Sequence, residues 1–95
     1  MDDERIMMQN PNTGRDDCRI KVAIYEPTRA AILEAIGETG ELANAQLIEE
    51  VERRTPAELW KDNSVMWFTT TVKLHLEATG EIVKHGSPQI LTLAP

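Results

Sequence analysis

Ser64-Val65-Met66-Trp67-Phe68-Thr69-Thr70-Thr71-Val72-Lys73-Leu74-His75-Leu76-Glu77-Ala78-Thr79-Gly80 is followed directly by Glu81-Ile82-Val83-Lys84-His85-Gly86-Ser87-Pro88-Gln89-Ile90-Leu91-Thr92-Leu93. The first run reads as one helix. Ser64 is a good N-cap, Gly80 suits the left-handed residue after a helix, and Val65, Phe68, Val72 and Leu76 recur at helical spacing between them. After Gly80 the pattern changes to strand, turn and strand, with His85-Gly86-Ser87-Pro88 as the turn. The expected class is therefore mainly α with a small β-hairpin, an α+β domain.

Upstream, two shorter helices are expected. Pro27 fits a first helical turn, Ile32, Leu33 and Ile36 form the buried stripe, and Gly37 and Gly40 end that helix. A second helix runs from Asn44 to about Arg54, with Leu42 stapled onto Leu47, an apolar face of Leu47, Ile48 and Val51, and Glu49, Glu50 and Glu52 in water. Arg53 and Arg54 fall in its last turn, where the helix dipole favours cations. Thr55-Pro56-Ala57-Glu58 has the spacing of a capping box, so a helical turn is expected over Pro56 to Trp60. Ile20, Val22 and Ile24 alternate as in a short strand or extended lead-in. Residues 1–19, with Asn10-Pro11-Asn12-Thr13-Gly14 and a single apolar cluster at Ile6, Met7 and Met8, read as a flexible arm ahead of a domain over residues 20–95.

A chain of 95 residues, 41% of them hydrophobic, holds one core and no second. The lone Cys18 makes no internal disulfide, no secretory pattern opens the sequence, and no apolar run is long enough to span a bilayer. A cytoplasmic protein without membrane contact is expected. The net charge is -6. Lys73 and Lys84 balance Glu77 and Glu81 after Ser64, so the whole excess of acid lies in front of the third helix. That distribution sets a neutral helix and hairpin on an acidic body, where a DNA reader usually carries a basic footprint.

The third helix has more apolar surface than one core requires. Besides the Val65, Phe68, Val72 and Leu76 face, Trp67, Thr71, Leu74 and Ala78 make a second stripe, leaving a polar strip of Met66, Thr70, Lys73 and Glu77. The second stripe is covered either within the chain, by the N-terminal segment or the C-terminal hairpin, or by a partner. In the partner case Trp60, Trp67, Leu74 and Ala78 are the candidate interface of a homodimer or protein complex, since aromatic residues anchor such contacts.

Thr70 to Ile82, followed by Gly86-Ser87-Pro88-Gln89, resembles the third helix and wing of winged helix-turn-helix proteins, and in particular a group of small uncharacterised bacterial proteins of that fold. The resemblance covers about Tyr25 to Leu93. It implies three helices plus a C-terminal wing, and a DNA-associated regulatory role. DNA-binding relatives set the third helix in the major groove, which here implies Met66, Thr70 and Lys73 as contacts, with Lys84, His85 and Ser87 of the wing beside them. One lysine on the helix implies weak direct affinity for DNA.

An enzyme is not expected. Cys18 has no positioned histidine, His75 and His85 lack the spacing of metal ligands, Thr69-Thr70-Thr71 has no adjacent base, and no phosphate-binding glycine loop is present. No cofactor is expected either.

Overall fold

The computed structural model describes residues 4–10, 15–86 and 89–95. Ser87 at the wing tip, Met1 to Asp3 and most of the Asn10 to Gly14 turn lie outside the described residues. Three helices, α1 (Val22–Thr39), α2 (Leu47–Arg54) and α3 (Val65–Ala78), combine with five short strands, so the domain is α+β. The strands are β1 (Arg5–Asn10), β2 (Arg15–Lys21), β3 (Leu42–Ala43), β4 (Ile82–His85) and β5 (Ile90–Leu93).

α3 forms as its sequence dictates. The Ser64 hydroxyl accepts the Trp67 N–H at 3.1 Å, satisfying one of the free donors of the first turn. At the other end Gly80 has φ 83°, and the Gly80 and Glu81 N–H groups reach back to the Glu77 and Leu76 carbonyls at 3.2 and 2.9 Å. This pair of bonds stops the helix and turns the chain directly into β4. Val72 and Leu76 are fully buried, and Val65 and Phe68 pack at the edge of the same core. β4 and β5 pair antiparallel, and β5 also pairs with β3, giving the sheet order β3-β5-β4. Ile82 and Leu91 face inward, while Leu93, at the end of β5, is 41% exposed.

α1 starts earlier than its proline suggests. Ile24, Tyr25 and Thr28 are buried at helical rather than alternating spacing, and Pro27 sits inside the helix. Its missing N–H leaves the Ala23 carbonyl without a helical partner, on an exposed residue where water can serve it. The helix also runs through Gly37 to a left-handed Gly40 of φ 82°. Leu42 pairs with Leu91 in the sheet and shares the buried core with Leu47. α2 begins at Leu47 after a 3-10 turn over Asn44–Gln46, and buries Leu47 and Val51. A second 3-10 turn spans Ala57–Trp60, but no capping box closes it. The Thr55 hydroxyl instead donates to the Val51 carbonyl and accepts from the Trp60 indole N–H, both at 2.7 Å, tying the turn to the end of α2.

The largest departure is at the N-terminus. The described part of the expected arm is an antiparallel hairpin, β1 against β2, that packs on α3 and α1. β2 runs on to Lys21, and α1 begins at Val22. Alternation explains the docking: Ile6, Met8, Cys18 and Ile20 face the core, with Met8 at 0% exposure. The hairpin also serves α1, whose first residue has no side-chain cap. The Val22 N–H donates instead to the Glu4 carbonyl at 2.9 Å.

Met8→Ala is expected to cost about 2–5 kcal/mol in denaturant unfolding, the range for truncating a buried large side chain. A loss below about 0.5 kcal/mol, typical of surface positions, would contradict the docked hairpin.

Candidate functional site

The α3 strip and the wing are the first surface to consider. Met66 is 62% exposed and Thr70 is exposed beside it. Lys73, one helical turn further, is only 7% exposed. Its ammonium lies 3.2 Å from the Asn44 side-chain oxygen and 3.4 Å from the Glu77 carboxylate, because the 3-10 turn after β3 covers this half of the strip. Lys84 approaches the other oxygen of the same carboxylate at 3.7 Å. Two of the charges that the sequence offers to a phosphate are thus shared on Glu77. His85 is exposed, and its Nε2 is 2.9 Å from the Thr92 hydroxyl. Ser87 is outside the described residues. With Lys73 and Lys84 paired to Glu77, the strip presents Met66 and Thr70 rather than a row of cations.

The four interface candidates do not form one free stripe. Trp60 is half-buried against Phe68 and spends its indole N–H on Thr55. Leu74 and Ala78 are half-buried, and Thr71, between Trp67 and Leu74 in the stripe, is buried. Trp67 alone remains open, 49% exposed, with its ring edge-on to Phe68 at a centroid distance of 4.9 Å.

His75 has a structural duty that its sequence position does not disclose. Its Nδ1 accepts the Gln9 backbone N–H at 3.0 Å, at the point where the register of β1 and β2 shifts between Met8 and Gln9. A bulge takes an N–H out of the strand ladder, and here the imidazole receives it. The Tyr25 ring meets the imidazole edge-on at 5.8 Å. Burial holds the His75 pKa below the usual histidine value, partly opposed by the charge of Glu81. The acceptor role requires a neutral ring carrying its proton on Nε2.

The hairpin turns a different character outward. In the register Arg5 lies opposite Lys21 and Met7 opposite Arg19, so these positions share the face away from the core. Arg5, Arg19 and Lys21 are exposed and make no ion pair with another described residue. They border a groove of about 450 Å³ between the hairpin and the start of α3, whose far wall is Trp67. Sequence reading missed this site because the alternation of Ile6, Met8, Cys18 and Ile20 was not recognised as a hairpin. Elsewhere, Arg54 joins α2 to α1 through Glu34, Glu38 and Glu50, and Arg29 of α1 pairs with Glu81. No group of three metal-binding side chains lies together among the described residues.

The model of a family of unknown function, DUF6958, matches residues 5–91. The chain belongs to this family. The match begins at Arg5, so the N-terminal hairpin lies inside the DUF6958 domain. No curated protein and no solved structure matches the chain. In the DUF6958 domain no helix is long and apolar enough to cross a membrane among the described residues.

Because the folded state lowers the His75 pKa, the unfolded chain binds this proton more readily. The contribution of His75 is complete above the ordinary histidine value of about 6.5 and is lost as pH falls through that value toward the lower folded pKa. Urea unfolding between pH 8 and pH 5 is expected to show this acid-side loss, and His75→Gln to reduce it. An identical pH profile in the variant would contradict the buried neutral imidazole.

Proposed function

We propose that this domain is a winged-helix-type module that associates with nucleic acid, without reading duplex DNA through α3 and the wing. The order α1-β3-α2-α3-β4-β5, with β5 between β3 and β4, supports the winged-helix relationship. Fold alone does not assign function, so the charge distribution carries the reading. In a chain of net charge -6, Lys73 and Lys84 are drawn onto Glu77, while Arg5, Arg19 and Lys21 stand exposed together on the hairpin. Polyanion affinity depends on cations that can neutralise phosphates, and among the described residues these three are the clustered ones outside any ion pair, with Lys61 exposed by itself before α3. The α3 strip can still lie near a backbone through Thr70, but it adds little affinity.

A second reading, contact with a protein or a second copy of the chain, is favoured by one observation. Met66 and Trp67 are neighbouring exposed apolar side chains at the start of α3. Aromatic and methionine side chains of this kind are enriched at interfaces. Leu74 and Ala78, being half-buried, are at most its edge.

Titration with mixed-sequence duplex at about 0.15 M salt is expected to give weak binding, with NMR shifts at the hairpin and no change of affinity in Lys73→Met. Tight binding abolished by Lys84→Glu, with shifts centred on Thr70 and His85, would restore α3 and the wing as the reading head. For the second reading, sedimentation of the wild-type chain is expected to show a dimer that Met66→Glu converts to a folded monomer. A wild-type monomer at several hundred micromolar would remove self-association.

A further inference from the structure

The groove beside the hairpin joins two kinds of chemistry. Its lining includes the three exposed cations Arg5, Arg19 and Lys21 of the hairpin and Trp67 of α3, together with Ile20, Ile24 and Phe68. Asp62 and Asn63, just before α3, stand at its rim.

The cations are arranged at a cost to the hairpin. Arg5 and Lys21 are directly opposite in the register, and Arg19 lies two residues along the same face. Like charges facing each other across an antiparallel pair are destabilising. No described carboxylate relieves them through an ion pair. A bound anion would. Two strand residues span roughly 6.6 Å, about the step between neighbouring phosphates of an extended single strand.

We propose that this groove binds a short stretch of single-stranded nucleic acid, with one base stacked on Trp67 and the flanking phosphates held by Arg5, Arg19 and Lys21. The inference rests on the nucleic-acid reading above and adds the site and the strandedness. An unpaired base can leave its neighbours and present a face to the indole, which a paired base inside a duplex cannot do. The Asp62 carboxylate, which repels phosphate, accepts hydrogen bonds from the exocyclic amino group of a base at the same rim, and the Asn63 amide can both donate and accept there. An acidic peptide would match the cations but would gain nothing from a second carboxylate at Asp62.

The full chain titrated with an oligo(dC) octamer, followed by tryptophan fluorescence, tests the proposal. Stacking is expected to quench Trp67, and three neutralised phosphates give a slope of about -2 in log K against log salt. Trp67→Ala and Lys21→Glu are each expected to weaken binding at least tenfold. Lys21→Glu is also expected to keep or raise the melting temperature, because it replaces a like-charge pair with an opposite one; a purely structural lysine would show the reverse. Equal affinity for a duplex of the same length, with the same dependence on Lys21, would overturn the single-strand assignment and leave the nucleic-acid reading standing. Binding of neither nucleic acid would overturn both. Equal competition by a poly-glutamate peptide would overturn the ligand class and give the groove to an acidic protein segment.

Discussion

The bond from the Gln9 N–H to the buried His75 imidazole is the contact on which the N-terminal third of this domain depends. A two-stranded hairpin alone is marginal in water and needs a surface to cover. α3 provides that surface, and the bulge at Gln9 provides a donor that the hairpin's own ladder does not use. Once docked, the hairpin places Met8 and Ile20 in the core and caps the first turn of α1 through the Glu4 carbonyl. The same docking fixes Arg5, Arg19 and Lys21 beside Trp67, so a core contact and a candidate binding surface are two sides of one small sheet.

Charge follows a consistent division. On the body of the domain, most described basic side chains are absorbed by acidic neighbours: Arg54 by the α1 and α2 glutamates, Arg29 by Glu81, and Lys73 with Lys84 by Glu77. Removing Glu77 would leave Lys73 buried with only Asn44 as partner, a costly arrangement for a charge, so Glu77 and Lys73 are best understood as one structural unit. Lys61 and the hairpin cations lie outside this pairing, and the hairpin cluster is what gives an acidic chain a local basic face.

Much of the fold was legible because α3 has local signals at both ends. Ser64, Gly80 and the switch of period after it identify helix, stop and strand without any knowledge of tertiary contacts. The α2 face of Leu47 and Val51 was legible for the same reason. α1 was harder: Pro27 marks a first turn in most helices, and Ile20, Val22 and Ile24 alternate across a point where a strand ends and a helix begins with no residue between them. The hairpin failed for a related reason, since its inward residues are interrupted by charge and its apolar pattern becomes visible only when Met8 is set opposite Cys18.

The site was less legible than the fold. Helical periodicity put Lys73 on the same strip as Met66 and Thr70, but it carries no information about the 3-10 turn that covers one end of that strip. The docked hairpin is most directly tested by NMR of the full chain at neutral pH, reading amide exchange at Gln9 together with the nitrogen shifts of His75. The account predicts a slowly exchanging Gln9 amide and an imidazole protonated on Nε2 with Nδ1 as acceptor. Exchange at Gln9 as fast as in an unstructured peptide, with a His75 ring that titrates like free histidine, would contradict it.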